Sequence, residues 1–314
     1  MACSLLSLLL LQGLLYEVGF GYGNSTFLAQ QMPVAWFGII ASALVVLAGL
    51  LYYADRKFNK QVAGEVTALL AKPPGTQTLV TPQLMAHLPP VVQKWLQRSG
   101  VEGTALPHTV RLKQKGAMRT KAGGKWMPFK ATQYFRADEP AFIWQTKVRA
   151  FPGIYLTGRD KYGNGRGEML IKLLSIKNVV RAGGTDQLNQ ASLLRYLAET
   201  CWFPSAALRD YIRWEPLDAG SARATITAGS ITVSGVFFFN EQGDFVAFEA
   251  MRYGDFNGKT SLKKWHVRAK SYRVFQDFRV PYQCEVTWKL KTGDFTWLQL
   301  ELTELSYNPP GKYS

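Results

Sequence analysis

Three histidines and three cysteines in 314 residues leave little material for metal or thiol chemistry. His87, His108 and His266 are far apart, and no His-Glu-x-x-His occurs, so no metal site is expected. Cys3, Cys201 and Cys284 contain no Cys-x-x-Cys and are too few for a disulfide framework. Cys201 and Cys284 either pair, if the domain is exported, or remain two buried free thiols. Charge is missing from the N-terminal part: before Asp55 only Glu17 is charged. Basic blocks are missing too. The net charge of +15 is spread as isolated Lys and Arg along period-two segments, with no nucleic-acid recognition motif beside them, so a nucleic-acid partner is not expected.

Catalytic and cofactor signatures are also absent. Gly254 to Thr260, GDFNGKT, has one residue too few between its glycines for a phosphate loop and lies between strand patterns, so it reads as a hairpin turn. Gly163-Asn164-Gly165-Arg166-Gly167 lacks the dinucleotide spacing and reads as another turn. Ser261-Leu262-Lys263-Lys264 matches Ser-x-x-Lys but falls in a hairpin instead of at a helix start. No cofactor is implied. Among the carboxylates, Glu199 stands four residues from Arg195 on one helical face, the spacing of an ion pair. Glu249 and Arg252 are three apart on one strand, hence on opposite faces.

What is present is one long apolar run. Val34 to Tyr53 is twenty uncharged residues, which as a helix spans about 30 Å, the hydrocarbon thickness of a bilayer. Trp36 at one end and Tyr52 and Tyr53 at the other suit the headgroup level. Gly38, Ala41, Ala48 and Gly49 offer small surfaces on which a partner helix can pack, and they serve equally as lipid-facing residues. Arg56, Lys57 and Lys60 follow the run and no Lys or Arg precedes it. The positive-inside rule then gives a single-pass membrane protein with its soluble part in the cytoplasm, the periplasm being the alternative.

The chain divides into an apolar segment 1–31, a membrane helix 32–54, a helix and Pro-rich linker 55–84, and a β domain 85–314. Residues 1–31 lack the basic region of a secretory signal; they read as a membrane-embedded hairpin, an interfacial segment, or an extension upstream of an internal start at Met32. Val62, Val66, Leu69 and Leu70 give helical spacing over 60–71, and Lys72-Pro73-Pro74-Gly75 ends it. Thr81-Pro82 starts a short helix, and Val91 to Arg98 forms another with Trp95 and Leu96 toward a core. From His108 the period is two: strands are expected at Lys125–Arg136, Ala141–Ala150, Ile154–Lys161 and Glu168–Val180, then, after a helix at 186–200, from Tyr211 to Tyr307. The fold class is therefore α+β: an N-terminal transmembrane helix, then a large curved antiparallel β-sheet, half-barrel-like, covered by helices.

The aromatic residues fill a core or line a cleft that holds an acyl chain or other apolar ligand. The candidate cleft residues are Trp144, Phe151, Trp202, Phe203, Trp265 and Trp288.

Four segments, LPPVVQKWLQRSGV (88–101), LLRYLAETCWFPSAAL (193–208), KKWHV (263–267) and FRVPYQCEVTWKLKTGDF (278–295), resemble an uncharacterised bacterial family, a domain of unknown function often carried behind one membrane helix. By architecture alone the sheet also resembles the half-barrel of lipoprotein carriers, which implies a concave apolar surface. Three roles are open at this point. The first is a non-enzymatic accessory subunit of a membrane protein complex. The second is a binder or carrier of lipid, lipoprotein or another apolar ligand. The third is a hydrolase at the membrane working through Glu199 or Asp210, which requires a cleft with a carboxylate of raised pKa.

Overall fold

The computed structural model describes residues 34–71 and 78–313; the segment 1–31 and the Lys72–Gly75 linker fall outside the described residues. The first element, α1 (Val34–Leu70), is one helix of 37 residues. The separate membrane span and following helix expected from sequence are thus joined. Residues 54–59 contain neither Gly nor Pro, so nothing interrupts the hydrogen-bond ladder between them. The two halves differ in surroundings. Trp36, Phe37, Leu44, Val45 and their neighbours are exposed, and α1 is long and apolar enough to cross a membrane. From Phe58 on, a stripe of Phe58, Val62 and Val66 is buried against Tyr134, Ile143 and Leu170, an i, i+4, i+8 pattern that keeps all three on one helical face.

Among the described residues thirteen strands form one antiparallel sheet. They are β1 (Thr109–Met118), β2 (Met127–Arg136), β3 (Ala141–Phe151), β4 (Ile154–Gly163), β5 (Arg166–Leu173), β6 (Lys177–Gly183), β7 (Ile212–Asp218), β8 (Ser221–Ala228), β9 (Ile231–Phe239), β10 (Phe245–Phe256), β11 (Lys259–Phe275), β12 (Phe278–Leu290) and β13 (Gly293–Tyr307). The spatial order is β6-β5-β4-β3-β2-β1-β13-β12-β11-β10-β9-β8-β7. Two meanders meet where β1 pairs with β13, around a bulge between Lys113 and Gln114. The edges of the sheet are β6 and β7, and the chain passes from one to the other through α4 (Asp186–Glu199) and two short 3-10 turns. That connection touches β4, β5, β8, β9 and β10, so the sheet curls around it. Phe142, Trp144, Thr146 and Val148 of β3 face inward and are buried, while α1 lies on the outer face. The fold is a curled half-barrel with an apolar helix rising from its back.

One expected strand is two. Glu168–Val180 breaks at Leu174 and Ser175, both in the left-handed region (φ +52° and +60°), and β5 turns back into β6. Neither residue is Gly or Pro, so the turn carries no local sign. Ser175 is 2% exposed; its hydroxyl donates to Asp55 Oδ1 at 3.0 Å and lies 3.2 Å from Thr157 Oγ1. These bonds offset the strain, roughly 1–2 kcal/mol per residue.

The concave face is roofed by helices. Thr81 caps α2 (Pro82–Met85), accepting from Leu84 N at 3.2 Å. In α3 (Pro90–Arg98), Trp95 packs on Phe237, Phe239 and Trp214 with ring centroids 5.5–6.1 Å apart. Thr185 caps α4, and Asn189 of α4 accepts the Gly167 N–H at 2.8 Å. A Cβ at Gly167 would come within 2.4 Å of Ser192 Oγ and 2.9 Å of the Leu188 carbonyl, so only glycine lets α4 lie this close to β5.

Candidate binding cavity

The register fixes which way the half-barrel points. Along β3, Ile143 meets the stripe of Phe58 and Val62, Gln145 donates to Asn59 at 2.7 Å, and Lys147 lies 3.2 Å from Asp55. Moving up β3 therefore moves down α1 toward its exposed apolar half. Phe151 and the turns beside it, 119–126, 174–176, 229–230, 257–258 and 291–292, all lie at this end. These turns contain Arg119, Lys121, Lys125 and Lys291 and no acidic residue. The turns of the opposite end, 137–140, 164–165, 219–220, 240–244 and 276–277, contain Asp138, Glu139, Glu241, Asp244 and Asp277 and no Lys or Arg. The turns are thus polarised, basic toward the apolar half of α1.

A cavity of about 270 Å³ opens at the basic end. Arg119, Lys121, Asp255, Asn257, Thr292 and Asp294 belong to its rim; Val148, Leu156, Ile171, Trp288 and Trp297 line it. Deeper, under α4, lies a chamber of about 60 Å³ walled by Trp144, Trp202, Trp265, Trp297, Arg195, Arg252 and Glu199. Trp297 is part of both walls.

The floor of this chamber is polar. Arg195 Nε donates to Glu199 Oε1 at 2.8 Å and its Nη1 to Asp160 Oδ2 at 3.0 Å. Gln133 Nε2 donates to the other Glu199 oxygen at 2.7 Å. Burial raises the Glu199 pKa, and Arg195 and Gln133 pull against that rise. Arg252 Nε donates to the Ala191 carbonyl at 3.1 Å, and its guanidinium lies 4.9 Å from the Trp265 ring. Burial first, then the neighbouring Arg195 charge, bring the Arg252 pKa down to about 10. The indole N–H of Trp144 donates to Gln114 Oε1 at 2.9 Å and that of Trp202 to the Pro281 carbonyl at 3.1 Å.

The six sequence candidates separate. Trp144, Trp202 and Trp265 line the chamber and Trp288 the mouth cavity. Phe151 is 43% exposed at the tip of β3 and borders a groove on the outer face, and Phe203 is fully buried between Phe135 and Tyr196. Neither lines the cavity. Inward positions of β3 run 142, 144, 146, 148, so Phe151 falls out of phase, and Phe203 lies between two 3-10 turns, where no strand period applies. The same rule would have found Arg252, inward with Phe248 and Ala250, while Glu249 on the outer face pairs with Lys264 at 2.6 Å and His266 at 3.1 Å. Cys201 and Cys284 are buried free thiols, and burial pushes Cys284 up to about 12. In the anchor, no atom lies within 4 Å of a Cβ built on Gly38 or Gly49; Trp36, Tyr52, Tyr53, Lys57, Ala41 and Ala48 are exposed, and Arg56 Nε donates to the Tyr52 hydroxyl at 2.9 Å.

Three solved structures are similar to this chain in fold. A domain described as that of an outer membrane lipoprotein-sorting protein from Vibrio parahaemolyticus shares 10% identity at a TM-score of 0.41, covering 71% of this chain and 92% of that one. A LolA superfamily protein from Nitrosomonas europaea shares 9% identity at a TM-score of 0.37, covering 69% and 94%. A DUF1329 family protein from Desulfovibrio piger shares 11% identity at a TM-score of 0.39, covering 75% and 96%. No curated protein matches the chain. The model of one family, described as a family of unknown function (DUF6544), matches residues 78–300, from the bridge before α2 to the inward leucines of β13, and the chain belongs to that family.

Proposed function

We propose that the protein is a membrane-anchored binder of an apolar chain, held by α1 with the mouth of its half-barrel toward the bilayer surface. The observation that carries this is the placement of the mouth: the cavity walled by Val148, Leu156, Ile171 and Trp288 opens at the end from which the apolar half of α1 projects. A chain leaving the bilayer beside α1 meets an apolar wall without crossing the rest of the domain. The basic turns around the mouth favour anionic headgroups, and with Arg56, Lys57 and Lys60 they support a cytoplasmic position for the domain, against the more anionic leaflet. Binding, not hydrolysis, is the role proposed for the chamber, because both Glu199 oxygens are already held by Arg195 and Gln133.

Native mass spectrometry of the full chain, extracted gently from its membrane, tests this reading. An acyl-lipid adduct is expected on the wild type and not on Leu156→Trp, which fills the mouth. Migration inside a larger complex at fixed stoichiometry, with no adduct, would favour the accessory-subunit role and overturn the proposal.

A further inference from the structure

Two of the indoles walling the inner chamber are satisfied by the protein and two are not. Trp144 and Trp202 have acceptors, whereas Trp265 Nε1 and Trp297 Nε1 are buried with none among the described residues. Arg252 is the second anomaly. It is 7% exposed, yet among the described residues no carboxylate lies within ion-pair distance of it, while Arg195 beside it has two. Its one hydrogen bond is made by Nε, to Ala191 O. Buried donors without acceptors are costly, and natural cores rarely keep them. Here an arginine and two indole N–H groups border the same space.

The size of that space narrows what it takes. About 60 Å³ admits a few waters or one small acceptor group, not a phosphodiester with its headgroup. Trp297 is the wall it shares with the larger cavity, which Val148, Leu156 and Ile171 line. A ligand that satisfies both has a small anionic head and an apolar tail.

We propose that the chamber receives the carboxylate of a long-chain fatty acid, inserted head first onto Arg252, Trp265 and Trp297, with the tail along the mouth cavity toward the bilayer. This rests on the reading of the half-barrel as a binder of apolar chains and names the class of chain. The acid contributes acceptors for these three donors, and its second oxygen matches the two-pronged face of a guanidinium.

The test compares palmitate with hexadecanol, which has the same tail and no charge, on the full-length chain held in amphipol. Wild type is expected to bind palmitate at least about tenfold tighter than the alcohol, as a charge-assisted bond to a buried site gives. Arg252→Gln should remove that preference, lowering palmitate affinity far more than hexadecanol affinity. Trp297→Phe keeps the ring and removes one N–H; it should weaken palmitate several-fold and the alcohol, whose hydroxyl accepts a weaker bond, by less, and it decides the matter if the arginine variant does not fold. Equal wild-type affinity for the two ligands overturns the carboxylate site while the apolar reading stands. Binding of neither overturns both. Lysophosphatidic acid displacing palmitate at lower concentration assigns the site to a phosphate and overturns the proposal.

Discussion

Asp55 Oδ1 lies 3.2 Å from Lys147 Nζ, at the point where α1 leaves the outer face of the sheet. The same oxygen accepts from Ser175 in the β5–β6 turn. One carboxylate thus ties the helix to β3 and to the β5–β6 turn, and below it Phe58, Val62 and Val66 fill the seat. Phe58→Ala empties the largest part of that seat. It should lower the stability of the detergent-solubilised chain by about 3 kcal/mol, read as the denaturant midpoint. An unchanged midpoint would mean that α1 does not dock on the sheet.

The basic turns give a second expectation. In nanodiscs containing phosphatidylserine, amide exchange across 119–126 and 291–292 should slow relative to phosphatidylcholine nanodiscs, and raising the salt should reverse the effect because these charges are exposed. Changing Lys121, Lys125 and Lys291 together to Glu should abolish the difference. Equal exchange in both lipids would place this end of the domain away from the headgroups.

The pH dependence of stability should be carried in part by Asp244, which joins Arg279 at 2.8 Å and Arg98 at 3.3 Å and so ties the β9–β10 turn to β12 and α3. Burial acts to raise this carboxyl, and the hydrogen bonds and charges of Arg279 and Arg98 outweigh it, holding it below the ordinary aspartate range. A depressed pKa stabilises the fold above the unfolded value of about 3.9, and the contribution is lost as pH falls through the folded value. Asp244→Asn should therefore cost about 2 kcal/mol at neutral pH and flatten the acid limb of the stability curve. A mutant curve parallel to wild type below pH 5 would contradict this.

Gly167 holds the roof in place. Gly167→Val puts atoms where Ser192 Oγ and the Leu188 carbonyl stand, so α4 must lift from β5. A loss of about 2 kcal/mol or more is expected, together with increased binding of a hydrophobic dye as the concave face opens. Full stability with no added dye binding would show that α4 is not seated there.

Much of this architecture is legible in the residues, for local reasons. Thr81-Pro82 and Thr185 announce helix starts, and period two at 142, 144, 146 and 148 announces an inward strand face. The misses have physical causes too. No breaker stands between residues 54 and 59, so the end of the apolar run is not the end of the helix. Leu174 and Ser175 turn the chain without glycine because a tertiary partner, Asp55, holds Ser175. The cavity itself is a matter of which inward aromatics meet. Trp144 and Trp265 come from strands on opposite sides of the β1–β13 seam, and only the curl of the sheet brings them to one chamber. Alternation from Phe248 and Ala250 puts Arg252 on the same inward face of β10, a signal the sequence reading did not use.

The most direct measurement is photocrosslinking in the native membrane. Cells fed a diazirine-bearing fatty acid are irradiated, the full chain is isolated, and labelled peptides are mapped. The account expects label on the mouth residues Val148, Leu156 and Trp288, lost in Leu156→Trp, beside a background on the apolar half of α1 that the substitution leaves unchanged. Label confined to α1, with none on the strands that wall the cavity, would contradict it.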